Sequence, residues 1–187
     1  MNKKPGISII VAATQDTLGI GCNGGIPWKL LGDLKNFRTI TTSTVVSSKI
    51  NAVVMGRKTW ESIPLKYRPL KNRLNVILSK TLNPTLVEGE CIRVESDIDE
   101  CMKKLQDDGD SIEHIYIIGG SCVYERAMTL EDCKSIFVTW IEGSFECDTF
   151  LHKIDRSKFK NEILGSWNKE GDVRYRFSSY KTDDADK

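Results

Sequence analysis

Short runs of apolar and β-branched residues recur along the chain, over residues 7–14, 52–55, 75–78, 114–118 and 135–141. Several are near-continuous, the pattern of strands buried on both faces of a parallel sheet. Helical patterns lie between them. Residues 33–41 carry Leu34, Phe37 and Ile40 at spacing three. Residues 96–106 open on Ser96 with Asp99 three positions on, a capping-box-like start. They then present Ile98, Met102 and Leu105 on one stripe and stop at Asp108-Gly109. Residues 121–128 follow directly on Gly119-Gly120, and a short turn at 59–63 is stopped by Pro64. Strands alternating with helices predict an α/β fold with a mostly parallel sheet and crossover helices on both faces. The stretch 173–182 differs. Val173, Tyr175 and Phe177 alternate there with Arg174, Arg176 and Ser178, which predicts a half-exposed antiparallel strand near an edge. Residues 182–187 carry three aspartates and read as a disordered tail to a single domain over 1–181.

Composition narrows the class. The longest strictly apolar run, 9–13, is far below the ~20 residues that span a bilayer. The opening Met1-Asn2-Lys3-Lys4 leads into Gln15 and Asp16 without a cleavage site, so it reads as a first strand. Six cysteines show no C-x-x-C pair, and only His114 and His152 could join them. No metal site is expected, and reduced thiols in the cytoplasm fit best. The net charge of +1 hides a split: residues 1–93 carry 14 basic and 5 acidic side chains, residues 94–187 carry 13 and 21. Within 49–80 eight cations face one anion, Glu61. An anionic partner is one reading of this; solvated faces on one interleaved fold is the other. Nucleic acid is disfavoured, because aromatic residues in that stretch are limited to Trp60 and Tyr67.

Five places could carry chemistry. Residues 18–37 combine Gly19, Gly21, Gly24 and Gly25 with Pro27-Trp28 and Asp33. Asp33 and Phe37 are four apart and project from one helical face. With Leu34 facing inward, Asp33 would sit at the core boundary, where a carboxylate can take two parallel N–H donors from a planar ligand. The alternative is a plain first-turn acid stabilised by the helix dipole. Met55-Gly56-Arg57-Lys58-Thr59-Trp60 and Ile117-Ile118-Gly119-Gly120-Ser121-Cys122-Val123-Tyr124 are both strand–glycine–helix junctions. Such junctions point to a ligand with two phosphates, although neither G-x-G-x-x-G nor a Walker motif is present. Leu78-Ser79-Lys80 offers a hydroxyl and a cation for another phosphate. Arg73 could clamp a carboxylate bidentately.

Together these stretches resemble the dihydrofolate reductase family. The resemblance is carried by 9–13, Gly19-Ile20-Gly21 with Asn23-Gly24 and Pro27-Trp28, Asp33 with Phe37, and 55–60 with Glu61-Ser62-Ile63-Pro64. It continues through Arg68-Pro69-Leu70-Lys71 with Arg73, 75–79, 117–121 with Val123-Tyr124, Phe137-Val138-Thr139 and Asp148-Thr149-Phe150, in family order. It implies an eight-stranded, mostly parallel sheet with an antiparallel C-terminal strand, and reduction of 7,8-dihydrofolate to tetrahydrofolate with NADPH, in support of one-carbon and thymidylate metabolism. By the same resemblance Asp33 binds the pterin, hydrogen-bonded by Thr139, with Trp28 beside it. Ile10, Val11, Leu34, Phe37, Ile118 and Tyr124 line the pterin slot. Ser62, Ile63 and Leu70 flank the aminobenzoyl ring, and Arg73 holds the folate α-carboxylate. Ala12, Ile20, Gly24, Leu78, Gly56 to Thr59 and Gly119 to Tyr124 (Ser121, Cys122 and Val123 between) hold the cofactor. Arg57 or Lys58, with Ser79 and Lys80, surrounds its 2′-phosphate. The Gly119-Gly120 peptide is cis in the family. Antifolate-type inhibitors are further expected ligands.

Three positions depart from the family pattern. The acid is Asp33, as in bacterial, protist and plant members, yet 63–73 looks eukaryotic. That pairing raises an origin in which the enzyme is often fused to thymidylate synthase. Ser96 stands about where some members place an arginine for the 2′-phosphate, and Ile26 replaces Met or Leu. Two competing readings stay in view. A related-fold reductase of riboflavin synthesis would lack the Trp28, Asp33 and Phe37 constellation. A non-catalytic folate or nucleotide binder would have lost Asp33 or the Gly119-Gly120 pair.

Overall fold

The computed structural model describes residues 4–87 and 89–185. It contains β1 (Gly6–Thr14), β2 (Gly19–Gly21), α1 (Leu31–Thr42), β3 (Ile50–Gly56), α2 (Arg57–Ser62), β4 (Arg73–Leu78), β5 (Ile92–Glu95), α3 (Ile98–Asp107), β6 (Ile112–Gly119), α4 (Ser121–Thr129), β7 (Cys133–Glu142), β8 (Thr149–Phe150), β9 (Asn161–Glu170) and β10 (Val173–Lys181). Eight strands form one sheet in the order β5-β4-β3-β6-β1-β7-β10-β9. The first six run parallel, while β10 is antiparallel to both β7 and β9. The β2–β8 pair is separate. The expected α/β class and eight-stranded sheet hold.

The apolar runs explain this arrangement. Ile9, Ala52, Val53, Val54, Met55, Val76, Ile77, Ile115 and Ile117 are wholly buried because both faces are covered. On one face α3 and α4 supply Cys101, Met102, Leu105, Tyr124 and Ala127 to a large cluster. On the other, Phe37, Ile40 and Trp60 of α1 and α2 pack against Ile10, Val53, Met55 and Ile77. The chain leaves β1 for β3, and β6 then returns between them. The carboxyl ends of β1, β3 and β6 thus meet at a topological switch point, where α/β sheets bind ligands.

Several local expectations change. The cap of α3 is Asp97, not Ser96: its carboxylate accepts from the N–H groups of Asp99 and Glu100 at 2.9 and 3.0 Å. Strand β5 has only four residues, Ile92 and Val94 alternating with Arg93 and Glu95, and β9 carries no sustained alternation in sequence. Residues 161–166 are exposed one after another, so hydrogen bonding to β10 defines β9 rather than burial. The alternation in β10 breaks between Arg176 and Ser178, where a bulge moves Ser178 and Tyr180 to buried positions. Gly165 lies opposite that bulge; a Cβ there would sit 2.5 Å from the Phe177 carbonyl oxygen. Thr182 to Asp184, expected to begin a disordered tail, are tied down. Thr182 is buried and its N–H donates to the Lys134 carbonyl. Lys160 pairs with Asp183, and Lys134 with Asp184. The last two residues of that tail lie outside the described residues. Among the described residues, no helix is long and apolar enough to cross a membrane.

Candidate active site

Asp33 projects from the first turn of α1 and is held by a side-chain hydrogen bond with Thr139 of β7. Burial raises its pKa above the ordinary carboxylate value. The hydrogen bond from Thr139 opposes this, and the charge of Glu170 adds to it. Beneath it Tyr124 of α4 is buried and donates its hydroxyl to the Ile10 carbonyl at 3.1 Å. Burial, and secondarily the Asp33 charge, pushes the Tyr124 phenol upward, so it stays a neutral donor. Phe37, Ile10 and Ile118 meet in the cluster beside this carboxyl. Trp28 is buried against Phe145, edge to face, and among the described residues its indole N–H has no partner. A buried, unpaired donor fits a polar ligand atom.

Two predicted residues sit differently. Leu34 is 52 % exposed rather than inward-facing. The residue of α1 that is fully buried is Thr41. Val11 points to the opposite face of the sheet, into the cluster covered by α3 and α4, so only its backbone remains on the Asp33 side.

Arg73 opens β4 and is buried. Its guanidinium donates to Thr41 Oγ1 at 2.7 Å and to the Lys71 carbonyl at 3.1 Å, and it lies 5.7 Å from the Phe37 ring. Among the described residues it has no carboxylate partner. Burial, with the nearby Arg38 charge, lowers its pKa to about 10. A buried cation without an anion is costly unless a ligand supplies one. Two polar residues that sequence reasoning missed hold it in place. Thr41 Oγ1 also donates to the Phe37 carbonyl at 2.7 Å. Asn75, wholly buried, binds both the N–H and the carbonyl of Leu70 at 2.9 Å. An asparagine inside an apolar strand and a threonine at a helix end were the available signals. Ile63 and Leu70 pack against the Phe37 cluster, while Ser62 donates back to the Thr59 carbonyl and is exposed.

The ends of β3 and β6 lie side by side, with Met55 registered on Gly119. The Gly119-Gly120 peptide is cis. Gly119 has φ +143°, and a Cβ on it would meet Thr59 Oγ1 at 2.9 Å. A Cβ on Gly56 would reach Val123 at 3.4 Å. Helix α4 starts at Gly120 with no side-chain cap, leaving its first N–H groups open. Two expected phosphate ligands are occupied otherwise. Arg57 pairs with Glu61 one turn on, at 2.8 Å, so Lys58 is the freer cation. Ser121 Oγ donates to the Phe150 carbonyl at 2.6 Å. Cys122, Lys58 and Lys80 are exposed, while Ser79 Oγ accepts from the N–H groups of Thr81 and Leu82. Leu78 ends β4 against the larger core cluster.

The glycine-rich loop is pinned to the segment around β8. Its β2 pairs with β8, and the Asn23 N–H donates to Asp148 at 2.7 Å. Gly19 is required here, because a Cβ would overlap the Cys147 side chain. Ile20 packs on the large core and Ala12 on the Trp28 cluster, while Gly24 takes φ +75° at the exposed tip. A separate cavity of about 200 Å³ lies between α1 and strands β7, β9 and β10. It shares Ile10 and Thr139 with the Asp33 site, and no cation lines it.

A family model described as dihydrofolate reductase matches residues 6–182. A dihydrofolate reductase of Heliothis virescens is 40 % identical over 177 residues, covering 92 % of this chain and 95 % of the relative. One from Rattus norvegicus is 38 % identical over 186 residues, covering 95 % and 98 %. A bifunctional dihydrofolate reductase-thymidylate synthase of Glycine max is 40 % identical over 174 residues, or 92 % of this chain. That match spans only 33 % of the soybean protein.

Proposed function

The chain belongs to the dihydrofolate reductase family, whose reaction is the reduction of dihydrofolate, and from that premise we propose that NADPH is its cofactor and Asp33 its pterin-binding acid. The carrying observation is the half-buried Asp33 carboxyl, held by Thr139 on the helical face it shares with Phe37. When bound, the reduced nicotinamide supplies a hydride for pterin C6. The residues present fit such a dinucleotide. The open helix start at Gly120, the glycine approach at Gly56 and Gly119, and the exposed Lys58 and Lys80 suit its phosphates.

Asp33 accepts two parallel N–H donors from the pterin and fixes its plane, with Phe37 against the ring. Its ionised carboxylate raises the proton affinity of pterin N5, which takes its proton from water. Trp28 Nε1 can donate to that water or to the ring. Arg73 binds the folate α-carboxylate, the anion its buried guanidinium lacks, while Ile63 and Leu70 meet the aminobenzoyl ring. Lys58, Ser79 and Lys80 favour the 2′-phosphate and so NADPH over NADH.

Absorbance loss of NADPH with dihydrofolate tests the reading. Asp33→Asn is expected to lower turnover at pH 7 by roughly 10²- to 10⁴-fold, the usual range for acid–base assistance. Part of the rate should return at low pH, where the substrate arrives already protonated. Full activity of Asp33→Asn at neutral pH would remove Asp33 from the chemistry. NADPH binding without oxidation would favour a non-catalytic binder.

A further inference from the structure

Helix α1 carries Asp33 yet begins without a capping side chain. Its N-cap position is Leu30, and the preceding Pro27-Trp28-Lys29 offers no Ser, Thr, Asp or Asn. The first N–H groups of such a helix need an acceptor. They find one 138 residues away. Glu170, the last residue of β9, places one carboxylate oxygen 2.7 Å from the Leu31 nitrogen and the other 3.0 Å from the Gly32 nitrogen.

The hairpin is built to deliver it. Val173 pairs with Glu170 across a two-residue loop, and Gly171 takes φ +60°, as the tightest hairpin turns require. Gly32 makes room on the helix side. A Cβ there would overlap the Tyr175 hydroxyl and lie 3.5 Å from the Glu170 carboxylate. A glycine in the first turn of a helix is otherwise unfavourable, so its presence marks a docking point for the hairpin.

We propose that Glu170 is a positioning residue for Asp33: its carboxylate caps α1 from the far end of the chain and fixes where, and against what charge, Asp33 meets the pterin. The inference rests on the reading of Asp33 given above. Its charge also bears on the acid. Facing Asp33 are Thr139 of β7, Tyr124 of α4, and Glu170 and Tyr175 of the hairpin. Of these, Glu170 brings a full negative charge and opposes ionisation of Asp33. Glu170 is itself held ionised by the two N–H donors, which lower its pKa.

The test compares Glu170→Gln and Glu170→Ala with the unaltered chain, and with Asp33→Asn as a control. Glu170→Gln keeps the shape and one acceptor, so it preserves the fold if alanine does not. Two readouts are needed: pH profiles of kcat and of kcat/KM for dihydrofolate, and a carbon-13 titration of the Asp33 carboxyl in the ligand-free protein. The expected result is a downward shift of the Asp33 titration in both variants. KM for dihydrofolate should rise roughly threefold to tenfold, with KM for NADPH unchanged. An unmoved Asp33 titration and an unmoved KM for dihydrofolate, with only a lower melting temperature, would overturn the proposal. If the Asp33 titration shifts while every kinetic profile stays fixed, and Asp33→Asn is also fully active, then the reading of Asp33 fails and the positioning contact stands.

Discussion

The two ends of the cleft are built on different principles. At the Asp33 end the working groups are charged side chains, Arg73 buried and Asp33 half-buried, whose direct hydrogen-bond partners are neutral: Thr139 for Asp33, Thr41 and the Lys71 carbonyl for Arg73. At the Gly119 end the working surface is backbone at strand ends, and its cations, Lys58 and Lys80, lie in solvent. Buried charges without counter-ions are expensive in the free protein and selective when a ligand completes them. Exposed cations cost little and add mainly long-range attraction. Stability and activity should therefore trade against each other at the first end and separate at the second.

The largest expected effect is at Asp33. Its pKa is raised by the fold, so its contribution to stability is fully present below the unfolded value and is lost as pH rises through the folded one. At pH 7 the ionised carboxylate thus weakens the ligand-free protein. Asp33→Asn, nearly inactive by the reading above, should have a higher denaturation midpoint at pH 7. The gain should shrink as pH falls toward 4 and the native carboxyl takes up its proton. Denaturant melts across that range would show it. Equal midpoints at pH 7 would mean that this end is not strained by its own chemistry, and the contrast between the two ends would collapse.

Thr41 gives the next effect. Thr41→Val removes the acceptor for Arg73 and leaves a buried guanidinium N–H unpaired, which costs on the order of 1–3 kcal/mol. Stability should fall by about that amount. KM for dihydrofolate should rise roughly tenfold, since Arg73 loses its orientation. Thr41→Ser keeps the hydroxyl and should restore most of both. If Thr41→Val alters stability alone, Arg73 does not depend on its tether.

These two ends were also unequally legible in the sequence. The strand–glycine–helix junctions at Gly56 and Gly119 could be read directly, because close backbone approach demands glycine whatever surrounds it. Asp33, Phe37 and Arg73 could be read as residue types in a pattern. Apart from Thr139, which the family resemblance puts on Asp33, their supports could not. The Thr41 and Asn75 contacts, and the Glu170 cap on α1, join segments whose meeting depends on strand order and register. Side chains expected to face a ligand have partners within the chain that could not be read for the same reason. Arg57 looks free until α2 brings Glu61 one turn away, and Ser121 until β8 presents the Phe150 carbonyl. Strand β9 escaped because its partner, not its composition, makes it a strand. The acidic half, which had no role by composition alone, supplies three contacts of consequence: Glu170 on α1, Asp148 on the glycine loop and Asp97 on α3.

The smallest effect belongs to the exposed cations. Lys58→Ala and Lys80→Ala remove charge without uncovering a buried group, so the free energy of unfolding should stay within the range of ordinary surface changes, about ±0.5 kcal/mol. KM for NADPH should rise a few-fold in each, and KM for dihydrofolate should hold. Added salt supplies an independent check. At about 0.15 M ionic strength the screening length is ~8 Å, so attraction between exposed lysines and phosphates is damped, while contacts inside the Asp33 pocket are screened far less. Raising salt should therefore weaken NADPH binding in the unaltered chain more than it weakens an uncharged pterin fragment. In the double variant the salt slope for NADPH should flatten toward that of the fragment. A slope unchanged by removing both lysines would place the phosphate attraction in the backbone alone. The second end would then be, like the first, a site of fixed and unscreened groups, and the distinction between them would rest on glycine rather than on charge.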